Sequence, residues 1–119
     1  MNNRLPKNVE GDFYATGSIC SDGTWMSDCT ACGLPEYEAP NLLAELNDSN
    51  LDTYFVKQPV TSTETEQAIS ASDVCCTDAI RYGGKDKKII QKMLPHLCDY
   101  KISLLGNVVP NNGEWWLLW

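Results

Sequence analysis

The chain has 119 residues, a length that suits one domain with a single core. It carries 16 acidic and 9 basic residues, and this net charge of −7 argues against nucleic-acid binding, because neutralising phosphates requires clustered lysine and arginine. The charge is uneven: residues 1–80 carry 13 acidic and 3 basic residues, whereas residues 81–119 carry 3 acidic and 6 basic residues. The acidic part favours a partner with a basic surface.

The N-terminal residues are polar, and no apolar run approaches the roughly eighteen residues that a membrane span needs. The sequence therefore predicts a soluble, cytoplasmic protein with no membrane span and no nucleic-acid partner. Six cysteines in a reducing compartment favour metal binding over disulfides.

A short strand predicted at residues 12–16 leads into a cysteine-rich loop. Cys20, Cys29 and Cys32 fall within thirteen positions, and the last two have C-x-x-C spacing. Thiolates this close can converge on one metal centre, and a tetrahedral all-sulfur site requires a fourth soft ligand. The adjacent Cys75 and Cys76 are the candidates for that position, with Cys98 as the remaining possibility. Trp25 and Met26 lie inside the loop, where they either cover the site or face a partner.

The rest of the chain predicts further helices and strands. A helix is expected at residues 39–46, with Leu42, Leu43 and Leu46 in the core. A second helix of about ten residues is expected to begin at a capping box at 63–66 and to bring Cys75 into position. A third helix is expected at residues 85–97, with its lysines in solvent. Strands are expected at residues 54–57 and 79–82. His96 lacks a carboxylate or cysteine neighbour in sequence, so we expect it to be structural or exposed.

The C-terminal segment has two apolar runs, at residues 101–109 and 114–119, around an Asn-Gly turn signal. This pattern predicts a terminal β-hairpin. Three of the last five residues are tryptophans, more than one face of a short strand can bury. We therefore predict that the tail from Trp115 to Trp119 is a surface for docking or self-association.

The thiolate set favours an iron–sulfur cluster over structural zinc. Zinc ribbons use two C-x-x-C knuckles, and the adjacent Cys75 and Cys76 make a poor second knuckle. A Rieske centre needs two histidines, and this chain has one. The sequence shows no phosphate loop and no Ser/His/Asp constellation, so we predict that the chain is not itself an enzyme.

Residues 4–84 resemble bacterial single-cluster ferredoxins of the [4Fe-4S]/[3Fe-4S] kind. The resemblance is carried by LPKNVEGDFY at residues 5–14, DCTAC at 28–32 and VCCTDAI at 74–80. The family's C-x-x-C-x-x-C motif is interrupted here, because six extra residues separate Cys20 from Cys29 and Met26 takes the place of the first cysteine. Cys76 stands where the family has proline.

The resemblance implies an α+β fold, with a ferredoxin-like small sheet and two or more helices around one iron–sulfur cluster. It divides the chain into a cluster domain at residues 1–84 and an extension at 85–119, which contains a C-terminal helix and β-hairpin and packs on that domain as one structural unit. The implied cluster is [4Fe-4S] rather than [3Fe-4S]. Its implied ligands are Cys20, Cys29, Cys32 and Cys75.

The implied function is that of a one-electron carrier, which delivers electrons to a partner oxidoreductase with a basic docking face. The alternative is a non-redox interaction module, in which structural zinc or a structural cluster holds the fold and the tryptophan-rich tail docks to a partner.

Overall fold

The computed structural model describes residues 4–28, 33–75 and 77–111. The strands of these residues form three antiparallel pairs, β1–β4, β2–β3 and β5–β6. The elements in chain order are β1 (Phe13–Ala15), β2 (Gly17–Ile19), β3 (Trp25–Ser27), α1 (Leu34–Glu38), α2 (Ser62–Val74), β4 (Ile80–Tyr82), α3 (Lys87–Lys92), a 3₁₀ turn (Pro95–Leu97), β5 (Tyr100–Ile102) and β6 (Val108–Pro110). The mixed α+β class is therefore confirmed, whereas a single ferredoxin-like sheet stays a prediction.

The core lies where the β1–β4 pair meets α2. Phe13 is central to it, with its ring centroid 6.0 Å from that of Phe55 and 4.8 Å from that of Tyr82. The helix contributes Ala68, Ile69 and Ala71 to this core. Burying these apolar and aromatic side chains supplies the main favourable term for folding.

Helix α2 starts slightly earlier than the sequence pattern suggested. Thr61 is its N-cap, and the Thr61 hydroxyl accepts a hydrogen bond from the Glu64 backbone N–H at 3.1 Å. The Glu64 carboxylate in turn accepts a hydrogen bond from the Val60 backbone N–H at 2.9 Å. This reciprocal pattern has the character of a capping box, two residues before the predicted one. The helix ends at Val74, so Cys75 follows its last turn as expected.

The predicted helix at residues 39–46 is wrong. The local helix is α1, which ends at Glu38, and Ala39 has the non-helical angles φ −134° and ψ 63°. Ala39 precedes Pro40, and the proline ring disfavours helical geometry in the residue before it. Leu42 and Leu43 are buried as predicted, whereas Leu46 is only half-buried. Leu43 forms a β-bridge with Phe55, and this bridge replaces the strand predicted at 54–57.

Two further boundaries in the C-terminal part differ from expectation. Helix α3 is shorter than the predicted 85–97, because it begins at the Asp86 N-cap and ends at Lys92, before the 3₁₀ turn that starts at Pro95. The β5–β6 hairpin turns within residues 103–107, where Gly106 has a φ of 87°. This turn lies inside the run at 101–109 that was expected to be one strand, so that prediction is wrong. The second run and the tryptophan tail lie outside the described residues.

The described part of the extension shares its core with the preceding residues. Ile90, Met93, Leu97 and Cys98 belong to the same buried cluster as Phe13. Cys98 also forms a parallel bridge with Tyr82 of β4, and the Asp99 backbone N–H donates to the Tyr82 carbonyl at 2.9 Å. Residues 85–111 are therefore integrated with the β1–β4 pair by both backbone and side-chain contacts.

A partly buried polar cluster around Tyr14 adds a second link between the two segments. The Tyr14 hydroxyl lies 2.7 and 2.8 Å from the two carboxylate oxygens of Asp99, and the Arg81 guanidinium approaches the same carboxylate at 3.5 Å. The Arg4 guanidinium covers the Tyr14 ring at 4.4 Å. Burial first, and then the bond to Asp99, raise the pKa of the Tyr14 hydroxyl above its ordinary value. Tyr14 therefore stays neutral and donates its proton to this bond.

We expect Tyr14→Phe to lower the free energy of unfolding by about 1–3 kcal/mol, because Asp99 loses its buried hydroxyl donor. Urea denaturation followed by circular dichroism measures the change. The difference from wild type should hold below about pH 10 and shrink as the pH rises further, because a raised pKa contributes stability only while the hydroxyl stays protonated.

Tyr37→Phe is the matched control, because Tyr37 is 81% exposed and its substitution should change stability by less than about 0.5 kcal/mol. Equal effects of the two substitutions would show that the Tyr14–Asp99 bond contributes nothing to the fold.

Candidate metal centre

Thr16 connects the two cysteine-bearing segments. Its carbonyl accepts a hydrogen bond from the Asp28 backbone N–H at 3.0 Å, and its own N–H donates to the Ala79 carbonyl at 2.7 Å. Asp28 directly precedes Cys29, and Ala79 follows Cys75 by four residues. Thr16 is buried, and its two hydrogen bonds connect Asp28 to Ala79 although these residues are about fifty positions apart in the sequence.

Cys75 has the environment of a metal-ligating thiolate. Its side chain is 3% exposed, the Ala79 backbone N–H donates to its sulfur at 3.3 Å, and the Thr77 hydroxyl lies 3.5 Å from that sulfur. Hydrogen bonds to cysteine sulfur stabilise the thiolate and tune an iron–sulfur centre. The sulfur atom of Cys75, its burial and its hydrogen bonds are therefore compatible with a role as a cluster ligand.

Helix packing brings the flanks of the two segments together. Helix α1 begins two residues after Cys32, helix α2 ends directly before Cys75, and the two helices pack against each other. Gly33, with a φ of 82°, is the N-cap of α1, a backbone geometry that glycine adopts without strain. Cys29, Cys32 and Cys76 themselves lie outside the described residues.

Cys20 lies at the opposite end of the β2–β3 hairpin from Asp28. The hairpin pairs Gly17 with Ser27 near its base and Ile19 with Trp25 near its tip. Cys20 follows at the tip, where its backbone N–H donates to the Thr24 carbonyl at 2.7 Å. Its side chain is partly exposed. The sequence did not indicate that the inserted residues of the cysteine loop would form a hairpin.

Met26, the residue at the place of the family's first cysteine, does not serve as a buried lid. Its side chain is 58% exposed, and it pairs with Ser18 across the hairpin. The Ser18 hydroxyl donates to the Asp28 carboxylate at 2.8 Å, so Ser18, Met26 and Asp28 share one face of the hairpin. Of the two roles expected for Trp25 and Met26, exposure to a partner suits Met26 better.

His96 and Cys98 belong to the surroundings of the distal segment. The His96 side chain is 54% exposed, as expected, and its imidazole lies 3.2 Å from the carboxylate of Asp78, a contact that the sequence did not indicate. Asp78 has a φ of 56° and its backbone N–H donates to the Cys75 carbonyl, so the histidine contacts the turn that follows Cys75. Cys98 is buried, and burial raises the pKa of its thiol to about 11, which suits a small core residue.

Among residues 4–28, 33–75 and 77–111, no group of three or more Cys, His, Asp or Glu side chains converges on one point. The same residues contain no helix that is long and apolar enough to cross a bilayer. Sequence reasoning proposed Cys75 as a ligand but did not indicate Thr16 and Ala79, whose contributions are made by backbone groups. No side-chain pattern could have revealed them.

Comparison with known proteins gives one match. Residues 26–82, slightly less than half of the chain, match the family model for the 4Fe-4S single cluster domain of Ferredoxin I. No curated protein and no solved structure matches the chain. The matched segment starts at Met26, so it contains Cys29, Cys32, Cys75 and Cys76 and leaves out Cys20. The match supports a relationship of this segment to the single-cluster ferredoxins.

Proposed function

We propose that the chain is a one-electron carrier, which uses a single cysteine-ligated iron–sulfur cluster to reduce a partner oxidoreductase. The proposed cluster is [4Fe-4S], the type named by the matching family. Its proposed ligands are Cys29, Cys32 and Cys75, with Cys20 as the candidate for the fourth position. When bound, such a cluster exchanges single electrons at a potential set by its surroundings.

The observation that carries this proposal is the connection through Thr16. Its two backbone hydrogen bonds connect the residue before Cys29 and the segment after Cys75 to the same residue. Cys75 is buried and accepts a backbone N–H at its sulfur. A thiol in this setting suits a metal ligand better than an exposed reactive group, because burial excludes water and the hydrogen bond favours the thiolate.

The chain's own residues would tune the cluster through hydrogen bonds and charge. The Ala79 N–H donates to the Cys75 sulfur, which stabilises negative charge there and favours the reduced state. Asp28, the residue before Cys29 in the sequence, adds negative charge to this segment, and negative charge near a cluster disfavours its reduction. The Ala79 N–H and the Asp28 carboxylate therefore have opposite effects on the reduction potential, and both belong to the segments that Thr16 connects.

The proposed partner presents a basic face around an apolar contact. Residues 1–80 carry a net charge of −10, which would steer association with a basic surface. Met26 and Ile19 on the β2–β3 hairpin, and Leu34 on α1, are each more than half exposed close to the cysteine segments. Self-association through the tail from Trp115 to Trp119 is a second proposed contact, supported by the tryptophan content alone.

The proposal predicts a coloured protein that takes up one electron reversibly. After anaerobic purification or reconstitution, iron and sulfide should be present in equal amounts, and a low-potential reductant should bleach the visible absorbance until air or an oxidant restores it. Electron delivery to an oxidoreductase should slow as salt is added, because screening shortens the reach of charge to about 10 Å at an ionic strength of about 0.1 M.

The contradicting result is a colourless chain that contains stoichiometric zinc, since zinc has a filled d shell and no redox chemistry. A cluster that no chemical reductant can reduce would also reject electron transfer. Both outcomes would favour the structural, non-redox function instead.

A further inference from the structure

A cavity of about 380 Å³ opens at the end of the β1–β4 pair where Phe13 lies opposite Tyr82. The hydrogen bond between Thr16 and Ala79 marks the other end of the same strand pair. The length of the strands therefore separates the cavity from the connection that Thr16 makes between the cysteine-bearing segments. The volume of the cavity is within the range of small-molecule binding sites.

Tyr82 supplies this cavity with a buried hydroxyl whose proton is not used. Its side chain is only 2% exposed, and the hydroxyl accepts a hydrogen bond from the Asp86 backbone N–H at 3.2 Å. Within residues 4–28, 33–75 and 77–111, no group accepts the proton of this hydroxyl. Burial, which outweighs the opposing effect of the Asp86 N–H, raises the pKa of Tyr82, so the hydroxyl stays protonated. A buried donor without an acceptor is costly, and a ligand that brings an acceptor would satisfy it.

Two side chains of opposite charge also line the cavity without pairing with each other. Asp12 and Lys85 are both exposed at its rim. The Lys85 ammonium lies 5.0 Å from the centroid of the Tyr100 ring, and in the described part of the chain neither Asp12 nor Lys85 forms an ion pair. Unpaired charges of both signs on one cavity are complementary to a ligand that itself carries both signs.

The Asp12 carboxylate and the Tyr82 hydroxyl converge on Gly84. A Cβ atom at Gly84 would stand 2.4 Å from the Tyr82 hydroxyl and 2.7 Å from the Asp12 carboxylate, so the two oxygens lie within about 5 Å of each other. A donor and an acceptor that are joined through one carbon atom can contact both oxygens at ordinary hydrogen-bond distances. The ammonium and carboxylate groups of an α-amino acid have this arrangement.

The remaining wall of the cavity is largely apolar. Phe13, Pro59 and Ile89 contribute to it, and the Phe13 side chain is buried beneath the cavity. An aliphatic group placed against these residues would be removed from water, which favours binding in proportion to the apolar area buried. The cavity therefore combines a dipolar polar side with an apolar side.

We propose that this cavity binds a free α-amino acid with an aliphatic side chain. The ligand's ammonium group contacts the Asp12 carboxylate, and its carboxylate accepts the Tyr82 proton and pairs with Lys85. Its side chain lies against the apolar wall. The inference does not rest on the proposed function, because none of these residues belongs to the cysteine-bearing segments.

Isothermal titration calorimetry of the full chain tests the chemistry of the ligand, with L-leucine as the probe. L-leucine should bind saturably at one site per chain. Two analogues should each bind about tenfold more weakly: 4-methylpentanoate, which lacks the ammonium group, and L-leucinamide, which lacks the negative charge. Glycine should also bind about tenfold more weakly, because it leaves the apolar wall uncovered.

Two substitutions at exposed positions then assign each ligand group to its partner. Asp12→Asn should weaken L-leucine binding about tenfold without weakening that of 4-methylpentanoate, which has no ammonium group to lose. Lys85→Met should weaken L-leucine binding to a similar extent without weakening that of L-leucinamide. Asp48→Asn and Lys87→Met are the matched controls, because they make the same charge changes at exposed positions outside the cavity and should bind L-leucine as wild type does. Circular dichroism checks that all four variants are folded.

The inference is overturned if L-leucine gives no saturable heat up to about 10 mM. Equal binding of L-leucine and L-leucinamide would also overturn it, since the site would then select only a cation. Equal effects of the cavity and control substitutions would show that net charge, and not the cavity, governs binding. All three outcomes leave the proposed function standing, because that function is tested separately by iron content and visible absorbance.

Discussion

Replacing Cys75 with serine is expected to prevent cluster assembly, with iron content and visible absorbance falling about tenfold or more relative to wild type. Cys75 is the buried cysteine whose sulfur accepts the Ala79 N–H, and Ile80 follows it at the spacing of the ferredoxin motif. A serine hydroxyl is a harder and less acidic donor than a thiol, so it replaces a cluster thiolate poorly. Iron and sulfide analysis after anaerobic reconstitution measures the effect.

The matched control is Cys76→Pro, which restores the residue of the family motif and should keep the cluster. Cys98→Ala is a second control, because Cys98 is buried but lies outside the segments connected by Thr16. It should keep the cluster and reduce only stability. If Cys76→Pro loses the cluster and Cys75→Ser retains it, the distal ligand is Cys76 and the assignment is wrong by one residue.

The second large effect is expected for Leu97→Ala, which should lower the free energy of unfolding by about 2–5 kcal/mol. Leu97 is fully buried in the cluster of side chains that also holds Phe13, although it comes from the extension beyond residue 84. Removing it leaves a cavity in the shared core and discards apolar burial. Because single domains of this size are stable by only about 5–15 kcal/mol, the loss should be evident in urea or thermal denaturation.

Leu94→Ala is the control for this experiment, since Leu94 lies three residues earlier and is 43% exposed. Its substitution should cost less than about 1 kcal/mol. A single cooperative transition in both variants would support the prediction that the extension and residues 1–84 unfold as one structural unit. Two separate transitions, or equal small effects of both substitutions, would instead indicate an extension that folds by itself.

The sequence by itself determined the elements whose signals are local. The capping residues and apolar spacing before Cys75 predicted helix α2 and the delivery of that cysteine to its end. The strand patterns at residues 12–16 and 79–82 predicted β1 and β4. Each of these depends on interactions between residues a few positions apart, which the sequence displays directly.

Other local signals misled because a neighbour outweighed them. The leucines at residues 42–46 have helical spacing, but Pro40 excludes helical geometry at Ala39, and the backbone of Leu43 pairs with Phe55. The apolar run at residues 101–109 suggested one strand, but Gly106 allows a tight turn within it. In both cases the apolar residues did not specify the backbone conformation of the segment that carries them.

Only the tertiary structure decided how the segments that carry Cys20 and Cys75 are placed. Cysteine spacing suggested that Cys20 could converge with its neighbours, whereas the hairpin extends it to the far end of β2. The connection that places Cys75 beside the approach to Cys29 is made by the N–H and carbonyl groups of Thr16. Every residue except proline carries both of these backbone groups, so nothing in the side chains marks Thr16 for this role. Long-range backbone pairing is set by how the whole chain packs, and that is why the sequence could predict candidate ligand types but not how the segments carrying Cys20 and Cys75 are placed.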